Sequence, residues 1–325
     1  MLENNKHYLK LIEKEIRKQR SNKKPKTLYQ PIDYLMGIGG KRIRPLMCLL
    51  AYNLYKEKVE KIIPYAVAIE VFHNFTLMHD DIMDNAPLRR GKKTVHEKWN
   101  TNTAILSGDV MLVKAYEIFS GLDAETLRQV LIAFNQCAAE VCEGQQWDMD
   151  FEKEKKVSEA QYIEMIRLKT AVLLGFSMEL GAILAKAPKE DCKALRDFGQ
   201  FIGIAFQLKD DLLDVYADKA KFGKQVGGDI IANKKTYLLI KALQEAKGKD
   251  KKELESWLRK KSFSKKEKVK AITQIYDNAG VRKFVEAKIN HHFNKGFKAL
   301  NSLHVADEKK MEMLAFTEAL MNRDK

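Results

Sequence analysis

Residues 66–84 read AVAIEVFHNFTLMHDDIMD, and residues 198–216 read FGQFIGIAFQLKDDLLDVY. Each is a long apolar stretch with hydrophobic residues at three- and four-residue spacing, the period of a helix, and each closes on the pattern DDxxD. Residues i and i+4 share a helix face, so Asp80 and Asp84 project together, as do Asp210 and Asp214. A carboxylate pair at a helix C-terminus is unfavourable by itself, because the helix dipole is negative there and like charges repel. Two such ends in one chain therefore ask for cations.

The same period runs outward through most of the chain, and no run shows the sustained alternation of a strand. The pattern predicts an all-α fold with helices over 3–19, 42–55, 60–84, 101–119, 123–147, 158–186, 189–217, 234–246, 265–301 and 308–322. Breaks fall at GIGGKRIRP, Pro87, Pro188 and the glycines of KFGKQVGGD, while Pro64 sits in a first turn. No Gly/Ser/Pro-rich linker divides the 325 residues, so a single domain over 1–325 is expected. At 45% hydrophobic and 31% charged, the composition is too apolar for disorder.

The four cysteines form no CxxC pair and have no histidine at zinc-finger spacing, which suits a reducing cytoplasm. The N-terminal stretch MLENNKHYLKLIEKEIRK lacks the apolar core of a signal peptide. The most apolar run, AVLLGFSMELGAILA, carries Glu179 and falls short of the roughly 20 residues of a spanning helix. The net charge of +14 is lopsided: residues 246–270 hold 11 Lys/Arg against 4 Asp/Glu, a net of +7. That segment reads as a solvated connector around a short helix, with at most weak attraction to anionic membrane surfaces. No aromatic interleaving or known motif points to nucleic acid.

Oxygen-only ligands suit a hard cation, and Mg²⁺ is commonly held by a few carboxylates with water and substrate phosphate completing its shell. Basic residues stand where a phosphorylated ligand would need them: Arg89 and Arg90 after the first cluster, Lys169 with Thr170, and Lys224, Lys234 and Lys235 after the second. A further basic site is GGKRIRP, Gly39 to Pro45, where glycines let the backbone approach an anion and Lys41, Arg42 and Arg44 bring charge to a helix start.

Taken together, HDDIMDNAPLRRGKKTVH, GGKRIRP and FQLKDDLLD…FGKQVGGDI resemble the trans-isoprenyl diphosphate synthases, the polyprenyl synthetase family, over residues 30 to 240. The resemblance implies a helical bundle around a deep central cavity, usually a homodimer, that joins isopentenyl diphosphate head to tail to an allylic diphosphate. It implies three substrate-dependent Mg²⁺ ions at Asp80, Asp84 and Asp210, with Asp81, Asp211 and Asp214 as supporting or water-mediated ligands. It assigns Arg89, Lys169, Thr170, Gln207, Lys224 and Lys234 to the allylic substrate. Lys41, Arg44, His73 and Arg90 go to the isopentenyl site, with Gln145 of EGQQWDMD helping to order it. His96 and Asp109 have no such support and are read as structural. Two departures, KKTYLL in place of Lys-x-Thr-Leu-Pro and Pro87 in place of an aspartate, affect local loop shape and remove no ligand.

A terpene cyclase is the nearest enzymatic alternative, but it has no use for GGKRIRP or a second complete DDxxD. An inactive partner subunit or a basic membrane-binding protein has no use for both clusters with their lysines. For product length, Phe75 lies five residues before Asp80, about 7.5 Å along the helix, with Thr76 beside it. One aromatic without an insertion in the motif resembles the geranylgeranyl type. Phe72 is a second candidate floor, and farnesyl or longer chains are the alternatives.

Overall fold

The structure, a computed structural model, describes residues 3–19, 23–217 and 227–321. In chain order its helices are α1 (Glu3–Lys18), α2 (Lys26–Gly37), α3 (Ile43–Asn53), α4 (Ile63–Met83), α5 (Val95–Lys98), α6 (Thr101–Phe119), α7 (Ala124–Lys153), α8 (Glu159–Ile166), α9 (Val172–Ala185), α10 (Lys189–Tyr216), α11 (Gly228–Ile231), α12 (Tyr237–Glu245), α13 (Gly248–Arg259), α14 (Lys265–Asn278), α15 (Val281–Asn301) and α16 (Asp307–Met321). A 3₁₀ turn over Val59–Ile62 leads into α4, a π-helical turn over Arg167–Ala171 joins α8 to α9, and β1 (Leu88–Arg89) pairs with β2 (Lys92–Lys93). The fold is all-α.

The chain forms two compact units. The first comprises Met1–Gln136, Phe176–Arg196 and Leu303–Met313, and the second Cys137–Gly175, Asp197–Ser302 and Leu314–Lys325.

In the first unit α4 is the central element and packs chiefly on α6. Its residues Ala66 to Ile69, Val71 and Phe72 are all buried, and each large apolar side chain so buried contributes about 1.5–3 kcal/mol. Phe134 of α7 lies edge-on to Phe72 (5.0 Å between centroids), Tyr116 (5.0 Å) and Phe119 (5.2 Å), and 5.5 Å from Phe176. Such offset and edge contacts are the favoured aromatic geometry. Charge is buried here as well. Arg42 adopts a left-handed conformation (φ 49°) before α3 and donates to Glu70 at 2.8 Å, Glu13 at 2.8 Å and the Met36 carbonyl at 2.8 Å.

The second unit has its own apolar core, built from Met165, Ile166, Leu208, Leu212, Leu238, Ile272, Ile275 and Val285 among others. The stretch Glu159–Ala185 is long and apolar enough to cross a membrane, yet 78% of its most apolar window is buried. It is an interior helix of the fold.

Besides the short helices α5 and α11 and the π turn that interrupts the predicted helix over 158–186, three elements depart from the sequence expectation. α2 was not expected, since no helix was predicted between residues 19 and 42, yet it carries Pro31 within it and buries Ile32, Leu35 and Met36. The predicted helix over 265–301 is two helices, since Gly280 takes a left-handed conformation (φ 66°) between α14 and α15. The hairpin after the first aspartate cluster is too short for strand periodicity to reveal.

Candidate active site

In the first unit, the end of α4 decides where each charge goes. Asn85 stands in the left-handed region (φ 48°) that asparagine tolerates. The amide of Ala86 bonds back to the Asp81 carbonyl at 2.9 Å, and that of Asn85 to Ile82 at 3.1 Å, which is the Schellman arrangement. The chain then turns through Arg90 and Gly91, both at positive φ (52° and 73°), between paired Arg89 and Lys92. Two left-handed residues in a two-residue loop make the type I′ turn that matches strand twist. A large side chain at the first of them is uncommon.

This turn returns Arg89 to the helix it left. Its Nε lies 2.9 Å from both oxygens of Asp81, and another guanidinium nitrogen lies 2.8 Å from Asp81 and 3.5 Å from Asp80. Asp81 is only 2% exposed, whereas Asp84 is exposed and Asp80 half-buried. Of the first cluster, Asp84 is the exposed carboxylate, Asp80 is half-buried beside Arg89, and Asp81 holds Arg89.

Arg90 donates to the Gly39 carbonyl, and a side chain on Gly40 would meet the Arg90 guanidinium at 2.7 Å. Arg44 lies 3.0 Å from Nε2 of His73. Burial, then Arg44, Arg90, Arg89 and Arg42, holds the His73 imidazole well below its usual pKa, so it is neutral at pH 7 and accepts the Arg44 hydrogen bond. The predicted residues Arg44, His73 and Arg90 thus gather beside the glycines, with Lys41 exposed at the start of the same segment. Arg42 is spent on Glu70 and Glu13 instead. His79, not singled out from sequence, lies 3.8 Å from Asp109 and 3.1 Å from the Ile105 carbonyl, and a Cβ on Gly108 would collide with it at 2.3 Å.

In the second unit, Lys169 and Thr170 lie in the π-helical turn, a local irregularity frequent at functional sites. Lys169 lies 2.6 Å from Asp148 Oδ2, and Lys234 lies 3.6 Å from the same oxygen. Burial raises the Asp148 carboxyl, but the two lysines outweigh it and leave the pKa lowered. Thr170 donates to Gln207 at 3.2 Å, and Gln207 donates to Asp211 at 3.0 Å. Asp211 also accepts from Tyr162 and is pushed up to about 7 by burial and then by Asp229, against those two hydrogen bonds. Asp214 accepts from the Asp229 amide at 3.0 Å and so holds the start of α11. Asp210 and Asp214 are half-buried, Asp211 is buried, and Lys224 lies outside the described residues.

Asp148 and Tyr162 were missed in the sequence. EGQQWDMD drew attention to Gln145 alone, and nothing near Tyr162 marks it as the partner of a carboxylate 49 residues away. Nε2 of Gln145 is buried and makes no hydrogen bond in the structure. The preceding residue has a plain role: a Cβ on Gly144 would lie 2.2 Å from the Lys169 amide nitrogen, so α7 can approach the π turn only where it carries glycine.

Among the described residues no three His, Cys, Asp or Glu side chains converge on a point that could hold a metal. Carboxylates offered in ones and twos, with lysines and arginines held close by, fit Mg²⁺ that arrives with a diphosphate and keeps water and phosphate oxygens in its shell.

An all-α fold with apolar helices carrying aspartate clusters towards their C-terminal ends, and with basic side chains on a π turn and at a glycine-rich helix start, is shared with known isoprenyl diphosphate synthases. The polyprenyl synthetase profile matches residues 25–276, and the chain belongs to that family. It is 42% identical over 224 residues to a geranylgeranyl diphosphate synthase of Methanosarcina mazei, covering 68% of this chain and 69% of that one. It is 37% identical over 303 residues to a short chain isoprenyl diphosphate synthase of Methanothermobacter thermautotrophicus, covering 93% and 92%. A crystal structure of a geranylgeranyl pyrophosphate synthase superposes with a TM-score of 0.95 at 39% identity over 100% of both chains. The protein is a prenyltransferase.

Proposed function

We propose that this enzyme joins isopentenyl diphosphate head to tail to allylic diphosphates and stops at the C20 product, geranylgeranyl diphosphate, working as one catalytic domain. Asp80, Asp84 and Asp210 take the Mg²⁺ ions of the allylic diphosphate, three by the family resemblance, while Asp81, Asp211 and Asp214 support them. When bound, Mg²⁺ supplies Lewis-acid stabilisation of the charge that builds on the departing diphosphate.

The chain's own residues do the rest. Arg89, Lys169, Thr170, Gln207, Lys224 and Lys234 hold the allylic diphosphate and stabilise it as it leaves. Lys41, Arg44, His73 and Arg90 hold isopentenyl diphosphate with its double bond beside the nascent allylic cation, so that proximity lowers the barrier. After the new carbon–carbon bond forms, the proton lost from the adduct passes to the released diphosphate.

The observation that carries the C20 reading is the aromatic stack on the α4 face behind the first carboxylates. Phe75 is half-buried, with Thr76 beside it. Its ring lies 4.8 Å from that of His79 and 5.6 Å from that of Phe72, which in turn rests on Phe134. In this reading Phe75 is the floor that the growing chain meets first, and Phe72, braced on Phe134, is the second. Phe75→Ala is expected to shift the main product beyond C20 when products are separated after incubation with farnesyl and isopentenyl diphosphates. A wild type that stops at C15, or a variant with an unchanged product, rules out Phe75 as the floor.

A homodimer is supported by a row of exposed apolar side chains on the first unit: Ile105, Leu106 and Val113 of α6, and Ile132 of α7. Apolar patches of this kind mark interaction surfaces. Sedimentation velocity is expected to give twice the chain mass for the wild type and a monomer for Leu106→Glu combined with Val113→Glu. A monomeric wild type defeats this reading. The enzyme is read as cytoplasmic, which suits four cysteines that form no disulfide. Residues 246–270 offer at most a weak attraction to anionic membrane surfaces.

A further inference from the structure

The basic segment 246–270 is not the uniformly solvated connector its composition suggests. Lys268, in the first turn of α14, is 0% exposed. Its ammonium donates to the Ile231 carbonyl at 3.1 Å and to Oδ1 of Asn233 at 2.6 Å, and it lies 4.2 Å from the centre of the Phe263 ring. Neither acceptor is a carboxylate, and burial lowers the Lys268 pKa. Burying a charge without a counter-charge is costly, so an apolar side chain of that length would suit the core better unless those two oxygens need holding.

What they belong to is the turn that leads into Lys234. Asn233 stands in the left-handed region (φ 55°), and its Nδ2 donates to the Leu258 carbonyl at 3.2 Å, so its side chain is fixed at both ends. The next residue of α14, Val269, closes on Gly227 (φ 84°), where a Cβ would lie 2.7 Å from its methyl groups. Adjacent residues of α14 therefore grip both ends of the 227–233 segment. Asp214 grips it as well, through the amides of Gly227 (2.6 Å, to the Asp214 backbone carbonyl) and Asp229 (3.0 Å, to the side chain). Lys234 follows at once, its amide bonded to the Asp229 carbonyl at 2.9 Å.

We infer that Lys268 is a positioning residue for the allylic diphosphate: it fixes the 227–233 turn so that Lys234 stands with Lys169 over Asp148. The inference rests on the reading of Lys234 as a diphosphate contact. Lys268 touches no substrate and acts only through Lys234, which makes its effect conditional on that side chain.

The test is a double-mutant cycle on the full-length enzyme, with the two substrates varied separately. Lys268→Met keeps the stem and removes the ammonium. It is expected to raise the Michaelis constant for the allylic diphosphate about tenfold, the effect of a lost hydrogen bond to a charged group, and to leave that for isopentenyl diphosphate unchanged. In a Lys234→Ala background the same change is expected to add nothing. Asn233→Gly fits the left-handed backbone and removes the acceptor without emptying the core, so it is expected to act in the same direction even where Lys268→Met fails to fold. Full additivity of Lys268→Met with Lys234→Ala, or an unaltered allylic Michaelis constant in Asn233→Gly, overturns the positioning role. An unaltered allylic constant in Lys234→Ala alone instead overturns the underlying substrate assignment.

Discussion

Asp80→Asn and Asp210→Asn are each expected to lower kcat/KM by about a thousandfold or more, at the upper end of what one lost electrostatic group costs in a water-poor site. Asparagine keeps the shape of aspartate and removes its charge, so the helices that end there persist. Their like-charge repulsion is relieved, and far-ultraviolet circular dichroism is expected to match the wild type. Asp81→Asn differs in kind, because Asp81 is buried and binds Arg89 through both oxygens. It is expected to reduce activity by displacing Arg89 and to lower Tm as well. Diphosphate release measured across a Mg²⁺ titration checks all three variants. Turnover close to wild type in both Asp80→Asn and Asp210→Asn would remove the metal-ligand reading.

Gly144→Ala is expected to have the second largest effect, although the residue carries no functional group. The added methyl would stand 2.2 Å from the Lys169 amide nitrogen and 2.7 Å from both the Leu168 carbonyl carbon and the Lys169 Cα. These are backbone atoms of the π turn, which cannot swing aside as a flexible side chain can. Either α7 or the turn must move, at a cost of about 1–3 kcal/mol for overpacking. A displacement of about an ångström at Lys169 and Thr170 costs on the order of a hundredfold in rate. Gly121→Ala is the control, since a methyl there meets nothing nearer than 3.5 Å. Thermal melts and steady-state kinetics of the two variants separate the outcomes. Equal behaviour of Gly144→Ala and Gly121→Ala would show that the crossing of α7 and the π turn is not tight in solution.

The features that were legible in the sequence are those that one helix decides by itself. The periodicity of 66–84 and 198–216 located α4 and α10, and i,i+4 spacing placed Asp80 with Asp84 and Asp210 with Asp214. What was not legible depends on chain reversal or on a distant partner. Asp81 reads like its neighbours until the Schellman turn and the hairpin bring Arg89 back to it. Arg42 reads like Lys41 and Arg44, yet its left-handed backbone directs it to Glu70. Asp148 lies in a helix with no pattern of its own and gains meaning only from Lys169 and Lys234. Lys268 was hidden by composition: in a run so rich in lysine, one buried ammonium looks like all the exposed ones.

The division of the chain into two interleaved units bears on how the protein is made. The first unit takes its body from Met1–Gln136, but it also includes Phe176–Arg196 and Leu303–Met313. His304 binds Asp191 there at 2.9 Å, and Asn4 binds Glu312 at 3.2 Å. A ribosome that has released residues 1–136 has therefore delivered α4 and its carboxylates without the segment that completes their unit. That unit closes only once residues 303–313 have emerged, so a nascent chain stalled at residue 300 is expected to expose apolar surface to chaperones from both units at once.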